Sequence, residues 1–549
     1  MDDRTVARLW RLVLGSLALL ALLAAPFSAS AQKIAGGGGH TLALRADGTL
    51  WAWGHNGAGQ LGDGTKTNRT SPVRVPVVDG SGQPVRFTAV VAGYSHSLAL
   101  SVDGTLWAWG DNYYGQLGDG TATYRTSPAR VPIVDGSGQP VRFTAVVALD
   151  DHSLALAADG TLWAWGKNDH GQLGDGTATD RTCPARVPIV DGSGQPVRFT
   201  AIAAGGCHSL ALAADGTLWA WGENDQGQLG DGTATDRTSP VRVPVVDGSG
   251  QPVRFTAVVA GKSHSLALAA DGTLWAWGYN FYGQLGDGTK TNRTSPVRVP
   301  VVDGSGQPVR FMAAVAGSYH SRALAADGSL WACGSIVGDG TTTDSASPVR
   351  VPIVDGSGQP GSFTAVAAGD NHSLALAADG TLRAWGYNAD GQLGDGTTYH
   401  FRVTPVGVVG PDGRGYFDAS LDIFPDGAQG EAPLTVGFSS FHTPLASAVD
   451  WDFGDGHTSN EATPSHTFDT PGLYTVTFTE QVPDGGTPGT TSTQSTTVKV
   501  TVLDTASDGG GSGGGGCAFN PSVGFGLEWL LLLAPLALGR LRRSGRRVN

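Results

Sequence analysis

The chain has 549 residues, 83 of them glycine, with 15% charged residues and a formal net charge of −13. That much glycine with so few charges fits short strands joined by tight turns better than helices, and predicts an all-β protein. Acidity excludes nucleic acid as a partner, because phosphate binding rests on Lys and Arg neutralising the backbone.

Residues 1–31 have the pattern of a secretory signal: Arg4, Arg8 and Arg11, an apolar stretch from Leu12 to Ala25, then Ala29-Ser30-Ala31 as a small-residue cleavage site. Cleavage after Ala31 would start the mature chain at Gln32 and place it outside the cytoplasm.

Residues 32–410 are seven copies of one unit. Histidines recur at His40, His96, His152, His208, His264, His320 and His372, with steps of 56 residues five times and 52 once. Such a unit cannot bury its own faces and must stack on its copies. In Leu50-Trp51-Ala52-Trp53-Gly54 the two indoles share one face of a strand, as do Trp107 and Trp109 in the next copy, while the other face is mostly small. The bulky face of one unit can then fill the small face of its neighbour. Each Trp so buried removes about 150–250 Å² from water, roughly 4–6 kcal/mol as an upper bound.

Four strands per unit follow from the turn residues: Phe87 to Ala92, Ser97 to Val102, Thr105 to Gly110, and Pro128 to Val134. Asp103-Gly104 suits a two-residue type I′ hairpin. Four strands in seven units predict a seven-bladed β-propeller, which closes radially and leaves no long sheet edge.

The seven histidines are expected to be structural, heading a buried strand and capping its turn, rather than forming a metal ring. The Gly-Asp-Gly-Thr copies, such as Asp63 and Asp119, are expected to be turns; they lack the spacing of a calcium loop. No nucleophile elbow, zinc-protease motif or phosphate loop occurs. Cys183, Cys207, Cys333 and Cys517 show neither a disulfide framework nor zinc-site spacing. Neither a cofactor nor a metal is expected, and the chain is expected not to be an enzyme.

The copies differ between Trp-Gly and Gly-Gln-Leu, where the loop carries Tyr113 and Tyr114, Asp169 and His170, Tyr279, Phe281 and Tyr282, or Tyr387. Symmetry puts these loops on one face, so Tyr113, Tyr114, His170, Tyr279, Phe281, Tyr282 and Tyr387 are the candidate binding residues. The sixth copy lacks four residues before Val337-Gly338-Asp339-Gly340, has Cys333 for Trp and Arg322 for Leu, and the seventh has Arg383 for the first Trp. Looser packing and a notch in the rim are expected there.

Residues 411–505 alternate differently and predict a small Ig-like β-sandwich. Residues 506–516 form a Gly-rich linker. Residues 517–549 hold Cys517, a short apolar stretch from Val523 to Gly539, and five arginines, barely long enough to span hydrocarbon.

Val91-Ala92-Gly93-Tyr94-Ser95-His96-Ser97-Leu98-Ala99-Leu100, with Trp109-Gly110 and Gly115-Gln116-Leu117-Gly118, resembles the repeat of the regulator of chromosome condensation family. The resemblance covers all seven units and implies the seven-bladed propeller. Trp451-Asp452-Phe453-Gly454-Asp455-Gly456 with His466-Thr467-Phe468 resembles the polycystic kidney disease (PKD) domain, an extracellular spacer or ligand-binding module. Asp450, Asp452 and Asp455 offer oxygens for calcium, although turn and strand-edge roles are expected. Residues 517–549 resemble the C-terminal sorting signals of bacterial surface proteins, which implies cutting near Cys517; a retained membrane anchor is the alternative.

These readings predict an exported or surface-displayed, monomeric, non-catalytic protein whose propeller face binds an extracellular protein or glycan. Guanine-nucleotide exchange, by family resemblance, and secreted enzyme inhibition are the alternatives. Export and the absence of a basic arm argue against the first.

Overall fold

The computed structural model describes residues 33–503, less 135–137, 192, 354–360, 379, 412–416, 418–421, 425–428, 432–433, 438, 442–447, 462–463 and 484–490. The signal, linker and sorting segments, with Ala31 and Cys517, lie outside the described residues. Seven antiparallel sheets of four strands follow one another in sequence order. In the second blade the strands are Phe87–Ala92, His96–Ser101, Leu106–Gly110 and Arg125–Arg130. First strands of successive blades touch, which places them nearest the axis.

Two details depart from the sequence expectation. The outermost strand runs from Arg125 to Arg130, starting earlier than Pro128, and just past its end Val131 N–H still bonds the Leu106 carbonyl while Val131 and Ile133 are buried. The Asp103-Gly104 turn is not type I′. Only Gly104 has positive φ (76°); Gly104 N–H bonds Ser101 O and Ser101 N–H bonds Thr105 O, the three-residue loop with a glycine bulge.

The blades wedge together as the Trp pattern requires. Trp163 and Trp165 of the third blade pack on Leu98, Leu100, Leu106 and Ala108 of the second. The second Trp of each pair, as in Trp53 and Trp109, is fully buried, whereas Trp107 keeps 9% exposure and Trp51 is half-buried. A polar relay accompanies each wedge. His96 Nε2 lies 3.1 Å from Ser153 Oγ of the next blade, and Ser153 Oγ donates to the Gln116 carbonyl, which also accepts Trp165 Nε1–H at 2.8 Å. The imidazoles therefore link blades instead of capping the turns they head. Because the hydroxyls of Thr41, Ser97, Ser153, Ser209, Ser265 and Ser321 already donate to a glutamine carbonyl, the histidine facing each must donate to it, which sets the Nε2–H tautomer and leaves Nδ1 without a proton. Glycine at position 93 matters here: a Cβ on it would clash with the His96 ring at Cε1 and Nδ1.

Closure uses the same parts. The first blade takes all its strands from one continuous stretch, Ile34 to Val75, so no strand is exchanged across the seam. His372 Nε2 bonds Thr41 Oγ1 at 2.9 Å, Trp53 Nε1–H bonds the Gln392 carbonyl at 3.0 Å, and Asp370 N–H bonds the Gly37 carbonyl.

The sixth blade breaks the relay. Its loop between Gly334 and Ser345 is four residues shorter than that between Gly110 and Arg125, so Ile336 occupies the place of the relay glutamine and has φ 45°. The guanidinium of Arg322, 1% exposed, takes the Ile336 carbonyl at 2.6 Å and also reaches the Ser321 and Cys333 carbonyls. Trp385 Nε1–H is left buried with no acceptor. Burial pulls the Arg322 pKa down to about 9. Arg322→Leu, which restores the residue of the other blades and frees the carbonyl for Trp385, is expected to stabilise the protein by roughly 1–3 kcal/mol; a lower denaturant midpoint for the variant would contradict this.

In the C-terminal module a five-stranded sheet contains the long hairpin Gly472–Pro483 and Thr491–Leu503. Its core is Trp451, Phe453, Phe468, Val476, Phe478, Val500 and Val502. Asp452 and Asp455 serve turns: Asp452 Oδ1 accepts Gly454 N–H, and Asp455 accepts from His457 N–H and from His466 Nε2 at 2.6 Å. Among the described residues no helix is long and apolar enough to cross a membrane.

Candidate recognition face

Two kinds of loop meet at one end of the propeller: the turns joining first to second strands, and the loops joining third to fourth. The second kind is built around a buried asparagine. Asn112 Nδ2 donates to Asp119 Oδ1 and to the Thr121 and Thr123 carbonyls, while its Oδ1 accepts Leu117 N–H. Asp119 Oδ2 is held by Arg125 Nε at 2.6 Å. Burial opposes ionisation of Asp119, but the bonds from Thr121 and Arg125 outweigh it and hold the carboxyl below its usual range. The Asn, Asp, Thr and Arg that recur in the loop are thus spent on internal bonds, and the two positions after the asparagine are the ones that vary.

Those positions carry the aromatic candidates. Tyr113 is 68% exposed and Phe281 63%, whereas Tyr114, Tyr279, Tyr282 and Tyr387 are half-buried by neighbouring rings. Tyr113 and Tyr114 stack edge to face at 4.9 Å in the second blade. Phe281, Tyr279 and Tyr282 form a larger group with Tyr319, 4.7 Å from Tyr282. Tyr387 pairs with Phe401 at 5.4 Å. His170 belongs to a polar sector instead, its Nδ1 3.0 Å from Asp236 Oδ2. Burial opposes protonation of His170, yet Asp236, Glu223 and Asp169 together push its pKa up.

Tyr319 escaped the sequence reading, as did Tyr94, 50% exposed. Both occupy the two free positions of Gly-x-x-His, a second variable site in each repeat whose signal was present. The same turns bring Asp150, Lys262 and Asp370 to the axis. Burial, then the charge of Asp150, raises the Asp370 carboxyl to about 6 against the pull of Lys262.

Comparison with known proteins agrees with this architecture. A family profile described as the RCC1-like domain matches residues 17–305 and 135–420, and a PKD domain profile matches 424–500. The ultraviolet-B receptor UVR8 of Arabidopsis thaliana is 32% identical over 401 residues, 71% of this chain and 85% of the receptor. The E3 ubiquitin-protein ligase HERC2 of Homo sapiens is 31% identical over 364 residues, 65% of this chain but 7% of the ligase. Human WBSCR16 superposes with a TM-score of 0.58 at 24% identity, covering 68% of this chain and 96% of that one. Yeast RCC1 (Prp20), in its complex with Kap60, gives 0.57 at 24%, covering 67% and 85%. The chain therefore belongs to the RCC1-like domain family, its propeller followed by a PKD domain.

Proposed function

We propose that this protein is a non-catalytic binding protein, exported through residues 1–31, that recognises a protein or glycan with the loop end of its propeller. The observation that carries the reading is the division of labour within the repeats: side chains of the blade and of the loop base are spent on packing and internal hydrogen bonds, and the variable positions of the second and fifth blades present Tyr113 and Phe281 to solvent beside half-buried neighbouring rings. Aromatic side chains give large contact area at low entropy cost and dominate binding hot spots. Yeast RCC1, which shares this fold, is described bound to Kap60, which supports a protein as the kind of partner. The PKD domain is read as a spacer, and residues 517–549 as the sorting or anchoring segment.

For a partner recovered with the full chain, replacing Tyr279, Phe281 and Tyr282 together by Ala is expected to weaken binding by at least about 30-fold, the loss of one hot spot. Unchanged affinity would move recognition off this face. Fractionation tests export: the propeller is expected outside the cytoplasm, and a cytoplasmic pool with an intact N-terminus would overturn that part.

A further inference from the structure

We propose that the junction of the third and fourth blades holds a divalent transition-metal ion of zinc type, ligated by Asp169, His170, Cys207 and Glu223. This site does not depend on the identity of any partner.

Asp169 and His170 sit in the loop after the third blade's third strand, Leu162–Gly166, and Cys207 sits in the turn before His208–Ala213 of the fourth blade. One donor atom from each of these three lies within 4.8 Å of the others. A fourth donor is close, with His170 Nε2 4.0 Å from Glu223 Oε1. The other ring nitrogen, Nδ1, is held by Asp236 at 3.0 Å. A metal-binding histidine needs such a second partner, because a carboxylate on one nitrogen orients the ring and makes the other a better ligand.

The donor set selects the ion. A thiolate with an imidazole and carboxylates suits tetrahedral zinc, cobalt or nickel, whereas calcium and magnesium take oxygens alone. Charge argues the same way: Asp169, Glu223, Asp225 and Asp236 crowd a region whose cations are Lys167 and His170. The contacts an ion would displace are modest, namely Lys167 Nζ at 3.3 Å and Gln172 Nε2 at 3.2 Å from Asp169, and Gln228 Nε2 at 3.1 Å from Glu223. Burial, then the charge of Glu223, pushes the Cys207 thiol up to about 12. A cysteine ligates as the thiolate, so metal binding would release its proton.

The repeats supply an internal control. Loops equivalent to His170 carry Ala58, Tyr114, Gln226, Tyr282 and Asp390, and turns equivalent to Cys207 carry Gly39, Ser95, Asp151, Ser263, Tyr319 and Asn371. The two departures, histidine and cysteine, fall at the same seam. Spacing could not show this, since the ligands belong to different repeats.

Cobalt(II) is the probe, because thiolate coordination gives it a charge-transfer band. Titration of the full chain is expected to produce that band, saturating at one equivalent and bleached by zinc. Cys207→Ser is expected to abolish it, whereas Cys183→Ser leaves it intact, and Asp236→Asn weakens binding by about 10-fold or more. Serine already stands at the Cys207 position in two repeats, so the fold tolerates this variant. The group Asp455, His457 and His466 holds no sulfur and cannot mimic the band. Absence of the band, or its survival in Cys207→Ser, would overturn the proposal.

Discussion

Lowering the pH from 7 to 5 is expected to unfold the propeller in one steep transition. His40, His96, His152, His208 and His264 are fully buried and their pKa values are pulled from 6.5 to about 3, chiefly by burial; His372 is pulled to about 4. Protonation would place a second N–H on Nδ1, which has no partner in any of the six. For His96 the Asp150 carbonyl offsets part of that cost. Because the folded values lie below the unfolded one, the unfolded chain binds more protons below pH 6.5. Stability is complete above pH 6.5 and is lost as the pH falls from there toward 3. At pH 5 each histidine costs about 2 kcal/mol, and six together about 12 kcal/mol, comparable to the whole stability of an ordinary domain. Denaturant titrations at pH 7, 6 and 5 check this. His96→Gln, whose amide can still donate to Ser153, is expected to shrink the acid loss by about 2 kcal/mol. Stability that stays flat to pH 4 would show the imidazoles to be wet or already charged.

The second large effect is at the seam that closes the ring. Trp53→Ala is expected to cost about 3–5 kcal/mol, the range for emptying a buried aromatic site. Trp53 is fully buried among Leu374, Leu382, Ala384, Leu393 and Val408 of the last blade, and Phe417 lies 5.7 Å from its ring. With no shared strand across the seam, the first blade is held to the seventh by this packing together with the bonds at His372, Trp53 and Asp370 and those from Gly396 N–H to the Thr70 carbonyl and from Thr41 Oγ1 to the Gln392 carbonyl. Limited proteolysis should therefore cut first in the first blade of the variant. Tyr113→Ala, at an exposed loop tip, is expected to stay within about 0.5 kcal/mol of the parent. A Trp53→Ala loss below about 1 kcal/mol would mean the seam is carried elsewhere.

Blade number, strand pairing and the buried face were legible because seven near-copies repeat one alternation and because Trp51 and Trp53 sit two residues apart. Hydrogen bonding between blades was not legible. His96 bonds Ser153, 57 residues away, and the relay glutamine lies in a loop whose path depends on the internal bonds of Asn112. Local letters also left the hairpin type open, since Asp-Gly suits both a two-residue turn and the glycine bulge observed at Gly104. Arg322 looked like a blemish in sequence; in the fold its guanidinium bonds the Ile336 carbonyl of the shortened loop, a geometry that only the fold reveals. On the candidate face, Tyr113 and Phe281 stood out by position in a variable loop. Tyr319 did not, because its contact with Tyr282 joins two different repeats.

The central claim is that the blades supply rigidity and one end of the propeller supplies recognition. Photo-crosslinking from two positions of the intact protein tests it most directly, with a photoreactive residue at Phe281 on the loop end or at Val102, 71% exposed in a turn at the opposite end. Partner captured from position 281 and not from position 102 is the predicted result. Equal capture from both, or capture from 102 alone, would contradict it.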